Sequence, residues 1–363
     1  MAIKTASLEQ CTKAVTSIGD NVTYYFVGEP GCGKSSILGM AAVANGDQWR
    51  KVGDSFPDDK YQYIYCDCPL MDLPDFAMPY VVNEANRATT HFAPAAIWGF
   101  NDPRPKYIMF DELSKAPKVV QPMFTRALLE RCIGELPFAK GTRLFATGNQ
   151  ASDGVGDSMQ GHINNRITSV KIGKPTIEEW ISWGLDHGVH ELILTGVHQY
   201  PHVMQSYHDD PNGDNPYIFN PKRNTGAFAS PRSLYKASFI CANRHIYGQE
   251  LTQLLLEGTI GVSFAGDLMA YMDVADKVPS WEAIESKPKT ADVPTSPAAQ
   301  LLLVFGSIGL VTKKNAEAYT AYFFRFPLEV RMLWARQFKD RLEKVMGVKQ
   351  FRDTLVADHW VFN

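Results

Sequence analysis

The stretch from Tyr24 to Ser36 constrains the fold of this chain more than any other. It begins with an apolar, aromatic run and then turns abruptly into glycines that lead to Lys34 and Ser35. Residues 37–42 follow with the composition of a helix start. This is the strand, loop and helix order that the pattern G-x-x-x-x-G-K-[ST] requires, so we predict a phosphate-binding loop. Its predicted nucleotide-binding residues are Gly28, Glu29, Pro30, Gly31, Cys32, Gly33, Lys34, Ser35 and Ser36.

The residue types of this loop suit a phosphate group. Glycines adopt backbone angles that are closed to other residues, and they let main-chain N–H groups wrap around an anion. The helix that follows directs its positive end at the same anion. Lys34 would supply a charge for the β- and γ-phosphates, and Ser35 an oxygen for Mg²⁺. The alternative is an ordinary glycine-rich turn between a strand and a helix.

Two adjacent carboxylates, Asp111 and Glu112, end a second apolar run that spans 107–110. At the C-terminal end of a buried parallel strand, acids lie where open α/β sheets bind their ligands. Asp111 is suited to hold Mg²⁺, directly or through water, and Glu112 to orient and deprotonate an attacking water. The alternative is an exposed strand end with two solvated acids.

A third strand-like run, over 142–148, ends on Asn149. Its amide would lie beside the expected carboxylates, where it could hydrogen-bond the lytic water or the γ-phosphate. Taken alone, an Asn in this position is only a turn former. Just before this run, residues 133–137 have glycine between apolar residues, which predicts a small hairpin.

Composition excludes several classes of protein. The 363 residues suffice for two domains, or for one domain with a smaller one appended. The net charge of −3 gives no indication of a nucleic-acid partner, although it leaves room for a local basic patch. No apolar run approaches the roughly 18 residues of a membrane span, and the first residues carry no signal-peptide pattern, so we expect a cytosolic protein. The six cysteines lack C-x-x-C spacing and are expected to be free thiols.

Periodicity and breaker residues predict alternating helices and strands in the first half of the chain and mainly helices in the second. Thr176 and Ser230 are predicted helix N-caps. The acids at 209, 210 and 214 do not fit an EF-hand loop, so a surface loop is expected there. The predicted elements are helices over 5–19, 80–90 and 118–131, a strand over 61–66, and loops over 67–79, 91–106, 205–229 and 278–295.

The order of these motifs resembles that of the AAA+ ATPases, and within them the MoxR-like and dynein-related branch. The likeness covers about 8–260 and is nearest to bacterial and phage ATPases of this branch. By this resemblance, Gly28–Ser35 corresponds to Walker A and Phe110-Asp111-Glu112 to Walker B. The hairpin at 133–137 resembles an insertion that faces the ring pore, although a packing role is also open.

The resemblance also implies roles for an asparagine and several arginines. Asn149 would be sensor 1, and Arg232 would be sensor 2, an arginine on the helical domain that contacts the γ-phosphate. Arg166 would be the arginine finger that reaches the nucleotide of a neighbouring subunit. A plain surface arginine is the alternative for Arg166, and Arg126 and Arg131 compete with it as the finger. The implied site is therefore catalytic Glu112, Asn149, Arg166 and Arg232, with Ser35 and Asp111 for Mg²⁺.

The fold class implied by the resemblance is α/β, a P-loop NTPase (AAA+) parallel sheet with helices on both faces and a strand order like 5-1-4-3-2. An all-α lid and C-terminal helices would follow, with domains at 1–175, 176–280 and 281–363. ATP and Mg²⁺ would be the ligands, and a homo-oligomeric ring, expected to be a hexamer, would remodel a protein client. A partner with a von Willebrand A-type domain is implied by the resemblance alone.

Three other functions stay open at this point. The first is a DNA-directed motor, such as a helicase loader or a McrB-like subunit, and the second is a kinase for a small molecule. The third is a non-hydrolysing ring that uses the nucleotide only for assembly. The chain has no Asn-Lys-x-Asp pattern for reading guanine, which favours ATP over GTP.

Overall fold

A computed structural model describes residues 5–49, 58–84, 87–149, 167–210, 212–222 and 226–357. The chain divides into two compact units. The first comprises Met1–Lys174 with Asn220–Arg223, and the second comprises Pro175–Phe219 with Asn224–Asn363.

The first unit is built on a five-stranded parallel sheet. Its strands are β1 (Tyr24–Gly28), β2 (Gln62–Asp67), β5 (Lys106–Asp111), β8 (Arg143–Gly148) and β9 (Thr168–Ile172). They lie in the order β2-β5-β8-β1-β9, so numbering these five strands along the chain gives 5-1-4-3-2 from one edge. The predicted strand order and the parallel α/β sheet are confirmed.

Both faces of this sheet are covered, because successive side chains of a strand point to opposite sides. Tyr24 and Phe26 lie in one buried cluster with residues of α1 (Leu8–Ile18) and α2 (Ile37–Asn45). Tyr25 lies in a second cluster with residues of α3 (Gln121–Glu130). Strands buried on both faces become nearly continuous apolar runs, which is why the first strand was easy to find from sequence.

The helix predicted over 80–90 is wrong. Residues there form an antiparallel hairpin of β3 (Ala77–Glu84) and β4 (Arg87–Pro94), which also corrects the ends of the loops predicted on either side. Val81 pairs with Thr90 and Val82 with Thr89. These β-branched residues favour a pleated strand over a helix, and cross-strand pairing outweighed the weak helical spacing.

The other predicted elements of this unit agree with the structure to within a few residues. The helix predicted over 118–131 starts later, at Gln121. The small hairpin is confirmed as β6 (Cys132–Ile133) and β7 (Leu136–Pro137), with Gly134 at a positive φ of 57°. Thr176 and Ser230, the two predicted N-caps, both accept capping hydrogen bonds in the second unit.

In the described ranges of the second unit, all regular secondary structure is helical. One buried cluster joins residues before and after 280, including Leu192, Phe264, Phe305 and Trp334. The predicted loop over 278–295 contains a short helix, which corrects that expectation. The helices are α4 (Ile177–Asp186), α5 (Glu191–Gln199), α6 (Pro231–Ala242), α7 (Arg244–Ile260), α8 (Val262–Ala275), α9 (Trp281–Ser286), α10 (Pro297–Leu310), α11 (Ala316–Phe323), α12 (Leu328–Arg336) and α13 (Lys349–Ala357).

Candidate functional site

The glycine-rich loop leaves β1 and enters a short 3₁₀ turn, Lys34–Ser36, that continues into α2. Gly31 and Gly33 have φ values of 78° and 99°, a left-handed region that side chains with a Cβ disfavour. Gly28 is needed for space, because a Cβ there would lie 2.9 Å from the Ile172 carbonyl oxygen. The glycines of the motif therefore serve the loop geometry that anion binding requires.

The Lys34 ammonium is held at the centre of this loop. Its Nζ donates hydrogen bonds to the carbonyl oxygens of Gly28, at 2.7 Å, and Glu29, at 2.9 Å. It also donates to Asn149 Oδ1 at 3.1 Å. The structure thus brings together two residues that were singled out from separate motifs, and both are buried.

Asp111 is the last residue of β5, and two hydroxyl groups fix its carboxylate. The Tyr65 hydroxyl donates to Oδ2 at 2.7 Å, and the Thr147 hydroxyl donates to Oδ1. Burial, followed by the hydrogen bond to Asp111, raises the pKa of Tyr65, which keeps it a donor at neutral pH. Sequence reasoning missed both hydroxyl partners, although Thr147 lies two residues before the predicted Asn149.

Glu112 follows Asp111 in an unusual backbone conformation, with φ of 52°. A non-glycine residue in this region costs about 1–2 kcal/mol. The Glu112 N–H donates to Asp111 Oδ1 at 3.2 Å, which helps to hold the conformation. Its carboxylate pairs with Lys115 Nζ at 2.8 Å on a partly exposed surface. Such a pair contributes only about 0–1 kcal/mol, so Glu112 can exchange it at low cost.

Asp67 is a third carboxylate at this edge of the sheet. It was predicted to begin a loop, but it is the last residue of β2 and lies opposite Asp111 in the strand register. Burial, and then the charges of Asp111 and Glu112, raise the pKa of Asp67. The carboxyl ends of β2 and β5 therefore concentrate negative charge, as a site for a divalent cation does.

Asp67→Asn should stabilise the ligand-free protein at neutral pH. Because its pKa is raised in the folded state, the folded chain binds the proton more tightly, and stability falls as pH rises from the usual Asp pKa through the raised value. Asparagine carries no charge and so removes the destabilisation that the ionised Asp67 causes at pH 7. We expect Tm at pH 7 to rise by about 1–3 °C. Thermal unfolding followed by circular dichroism would measure it.

The matched control is Asp58→Asn, at an exposed acid. The gain in Tm from Asp67→Asn should shrink as pH falls below the usual Asp pKa, where Asp67 is protonated and as neutral as the asparagine that replaces it. A lower Tm for Asp67→Asn at pH 7 would contradict the electrostatic account.

Cys32 and Glu29 lie buried inside the loop and support it. Glu29 pairs with Lys174 at 3.2 Å, a partner that sequence reasoning did not find. Burial raises the pKa of the Cys32 thiol, although the nearby Lys34 charge acts in the opposite direction. A neutral, buried thiol is a poor nucleophile. All six cysteines are free, as predicted.

The predicted arginines have different surroundings. Arg131 donates to the carbonyl oxygens of Gly19, at 3.2 Å, and Thr142, so it is engaged within its own subunit. Arg126 is exposed and pairs with Glu130 at 2.7 Å. Arg232 is exposed in the first turn of α6, in the second unit. Arg166, the preferred finger, lies outside the described residues.

The first unit therefore assembles Lys34, Asn149, Asp111 and the neighbouring Glu112 from three adjacent strands. In the described ranges, no group of three or more His, Cys, Asp or Glu side chains is arranged to hold a metal. Mg²⁺ in nucleotide sites usually keeps waters and takes one or two carboxylates plus phosphate oxygens. Asp111 fits that requirement, with Ser35 as the hydroxyl ligand predicted from the motif.

Comparison with known proteins gives likenesses of structure only. No protein-family model and no curated protein matches the chain. A RuvB variant from Thermotoga maritima is 12% identical over 75% of this chain and 69% of that one, with a TM-score of 0.36. A putative ATPase from Cytophaga hutchinsonii is 10% identical over 89% of this chain and 78% of that one, with a TM-score of 0.33. NtrX from Brucella abortus is 10% identical over 98% of this chain and 65% of that one, with a TM-score of 0.31. Because these TM-scores are low, the fold assignment depends on the strand order and registers.

Of the helices in the described ranges, none has both the length and the apolar character to cross a bilayer.

Proposed function

We propose that this chain is an ATP-hydrolysing ring ATPase of the AAA+ family. The observation that carries the proposal is the meeting of Lys34 with Asn149, 3.1 Å apart, at the end of the strand that also supplies Thr147 to Asp111. A phosphate-binding lysine, a polar amide and a cation-binding carboxylate at one sheet edge are the parts that phosphoryl transfer requires.

Each residue has a defined task in hydrolysis. Lys34 would exchange its loop carbonyls for phosphate oxygens, which are stronger, charged acceptors. Asp111, held by Tyr65 and Thr147, would bind Mg²⁺ together with Ser35. The bound Mg²⁺ supplies positive charge that neutralises the phosphates.

The water-activating step falls to Glu112 and Asn149. Glu112 would leave Lys115 to orient the attacking water and accept its proton, since that ion pair is weak. Asn149 would hydrogen-bond the same water or the γ-phosphate. The buried surroundings of Asn149 strengthen such polar contacts.

The finer assignment is to the MoxR-like branch, acting in the cytoplasm on a protein client with a von Willebrand A-type partner. It is supported by the order of motifs along the chain. In the ring, expected to be hexameric, Arg232 would contact the γ-phosphate of its own subunit, and Arg166 that of the neighbour. An arginine supplied across an interface stabilises the charge of the transferred phosphoryl group.

Mixing two inactive variants tests the ring. Arg166→Ala and Glu112→Gln should each lower ATP turnover by about 100-fold or more. A one-to-one mixture should recover about a quarter of wild-type turnover, because a quarter of interfaces combine an intact Glu112 with an intact neighbouring Arg166. Phosphate release would be measured before and after subunit exchange.

The control replaces Arg166→Ala with Arg126→Ala, at the exposed arginine on α3. Arg126→Ala alone should keep turnover near the wild-type value, because Arg126 is not the proposed finger. If Arg126→Ala is instead inactive and recovers with Glu112→Gln, while Arg166→Ala keeps its turnover, the finger is Arg126. If Arg166→Ala is inactive and its mixture with Glu112→Gln shows no recovery, a finger that acts between subunits is contradicted.

A further inference from the structure

A cavity of about 1260 Å³ lies in the second unit, between the turn after α10, helix α12 and the start of α13. Nothing in the proposed ATPase cycle uses it. Basic side chains dominate its charged lining: Lys313, Lys314, Arg331, Lys344 and Lys349. We propose that this basic cavity docks an acidic peptide segment of a partner protein.

Three lysines of the basic cavity are available to a ligand. In the described part of the chain, Lys313, Lys314 and Lys349 are exposed and form no ion pair within 4.0 Å. Arg331 Nε is buried and has no hydrogen-bond partner among the residues that the structure describes, while the guanidinium lies 5.7 Å from the centre of the Phe324 ring. A buried donor left unpaired is unfavourable, so an incoming anionic acceptor would relieve that cost.

The other lining residues favour a peptide over a polyphosphate. Glu317, Glu343 and Asp353 also line the basic cavity. Fixed carboxylates repel a nucleic-acid backbone, which carries a charge at every phosphate. A peptide can place acidic groups against the lysines and uncharged or basic groups against these three carboxylates. Phe324 and Val348 add apolar surface for its aliphatic side chains.

The volume points to the same class of ligand. Pockets for single small molecules are commonly about 300–1,000 Å³, and this cavity is larger. A free phosphate would leave most of the basic residues without a contact. A peptide of several residues could reach Arg331 and the exposed lysines of the rim together.

The test uses the full chain and a fluorescein-labelled peptide of Glu residues interspersed with Leu. Fluorescence anisotropy should show binding that weakens as salt is raised, and a peptide with Gln in place of Glu should not bind. The double variant Lys313→Glu/Lys314→Glu should weaken binding by about tenfold or more. Arg331→Gln should weaken peptide binding as well, although it leaves the exposed lysines of the basic cavity unchanged.

The matched control is Lys287→Glu/Lys289→Glu, at two exposed lysines outside the basic cavity. It should leave peptide affinity within about twofold of wild type. ATP turnover of all variants, and Tm of the two double variants, should match wild type, which separates failure of this proposal from failure of the proposed ATPase function. The proposal is overturned if the Glu peptide does not bind, if both double variants weaken it equally, or if an oligothymidylate or tripolyphosphate displaces it more strongly than unlabelled peptide.

Discussion

Lys34→Ala is expected to abolish nucleotide binding, with a loss of affinity of about 100-fold or more. The ammonium is buried and already held against the loop by the Gly28 and Glu29 carbonyl oxygens. Removing it deletes the ammonium proposed to bind phosphate and leaves those oxygens without this donor. Isothermal titration calorimetry with an ATP analogue would measure the loss.

A loss of binding could also follow from a damaged loop, so two comparisons are needed. Lys34→Met keeps the length of the side chain without its charge and should fail in the same way as Lys34→Ala. Lys13→Ala, at an exposed lysine of α1, should bind as wild type does. Retained affinity in Lys34→Ala, with an unchanged Tm, would contradict the phosphate-loop assignment.

Glu112→Gln is expected to separate binding from hydrolysis. Turnover should fall by about 100- to 1,000-fold, which is within the range that general-base catalysis contributes, while affinity for ATP stays within a few-fold. Glutamine keeps the size of the side chain but cannot accept the proton of water. It also releases Lys115, whose pair with Glu112 is weak and partly exposed. Single-turnover phosphate release, measured beside nucleotide affinity, distinguishes the two effects.

Glu130→Gln is the matched control, because Glu130 is also an ion-paired acid and lies exposed at the end of α3. It should leave turnover unchanged. If Glu112→Gln also leaves turnover unchanged, Glu112 is not the base, and a ring that uses ATP only for assembly becomes the better interpretation.

The sheet was predictable from sequence because its strands are short, apolar and ended by glycines or polar residues. Gly28, Asp111 and Asn149 each mark the point where a strand ends, and those points are where ligands bind in parallel sheets. The β3–β4 hairpin was not predictable in the same way. Its residues are mostly exposed, so its pairing depends on cross-strand neighbours that no local pattern specifies.

Supporting residues were also missed, for one physical reason. Tyr65 and Thr147 act on Asp111 from strands 46 and 36 residues away along the chain. Lys174 pairs with Glu29 across a still longer separation. A tyrosine or a threonine inside a strand carries no signal beyond its β-propensity, so its role becomes visible only when the strands are adjacent.

By itself, the sequence of Gly28–Ser35 determined that a glycine-rich turn follows the first strand, because glycines favour the backbone angles found at Gly31 and Gly33. The tertiary structure alone decided which strand end lies beside that loop. Strand β8 lies between β1 and β5, so its carboxyl end reaches both sides, with Asn149 beside Lys34 and Thr147 beside Asp111. Parallel strands align their carboxyl ends at one edge, and the strand order converts three separate motifs into one site.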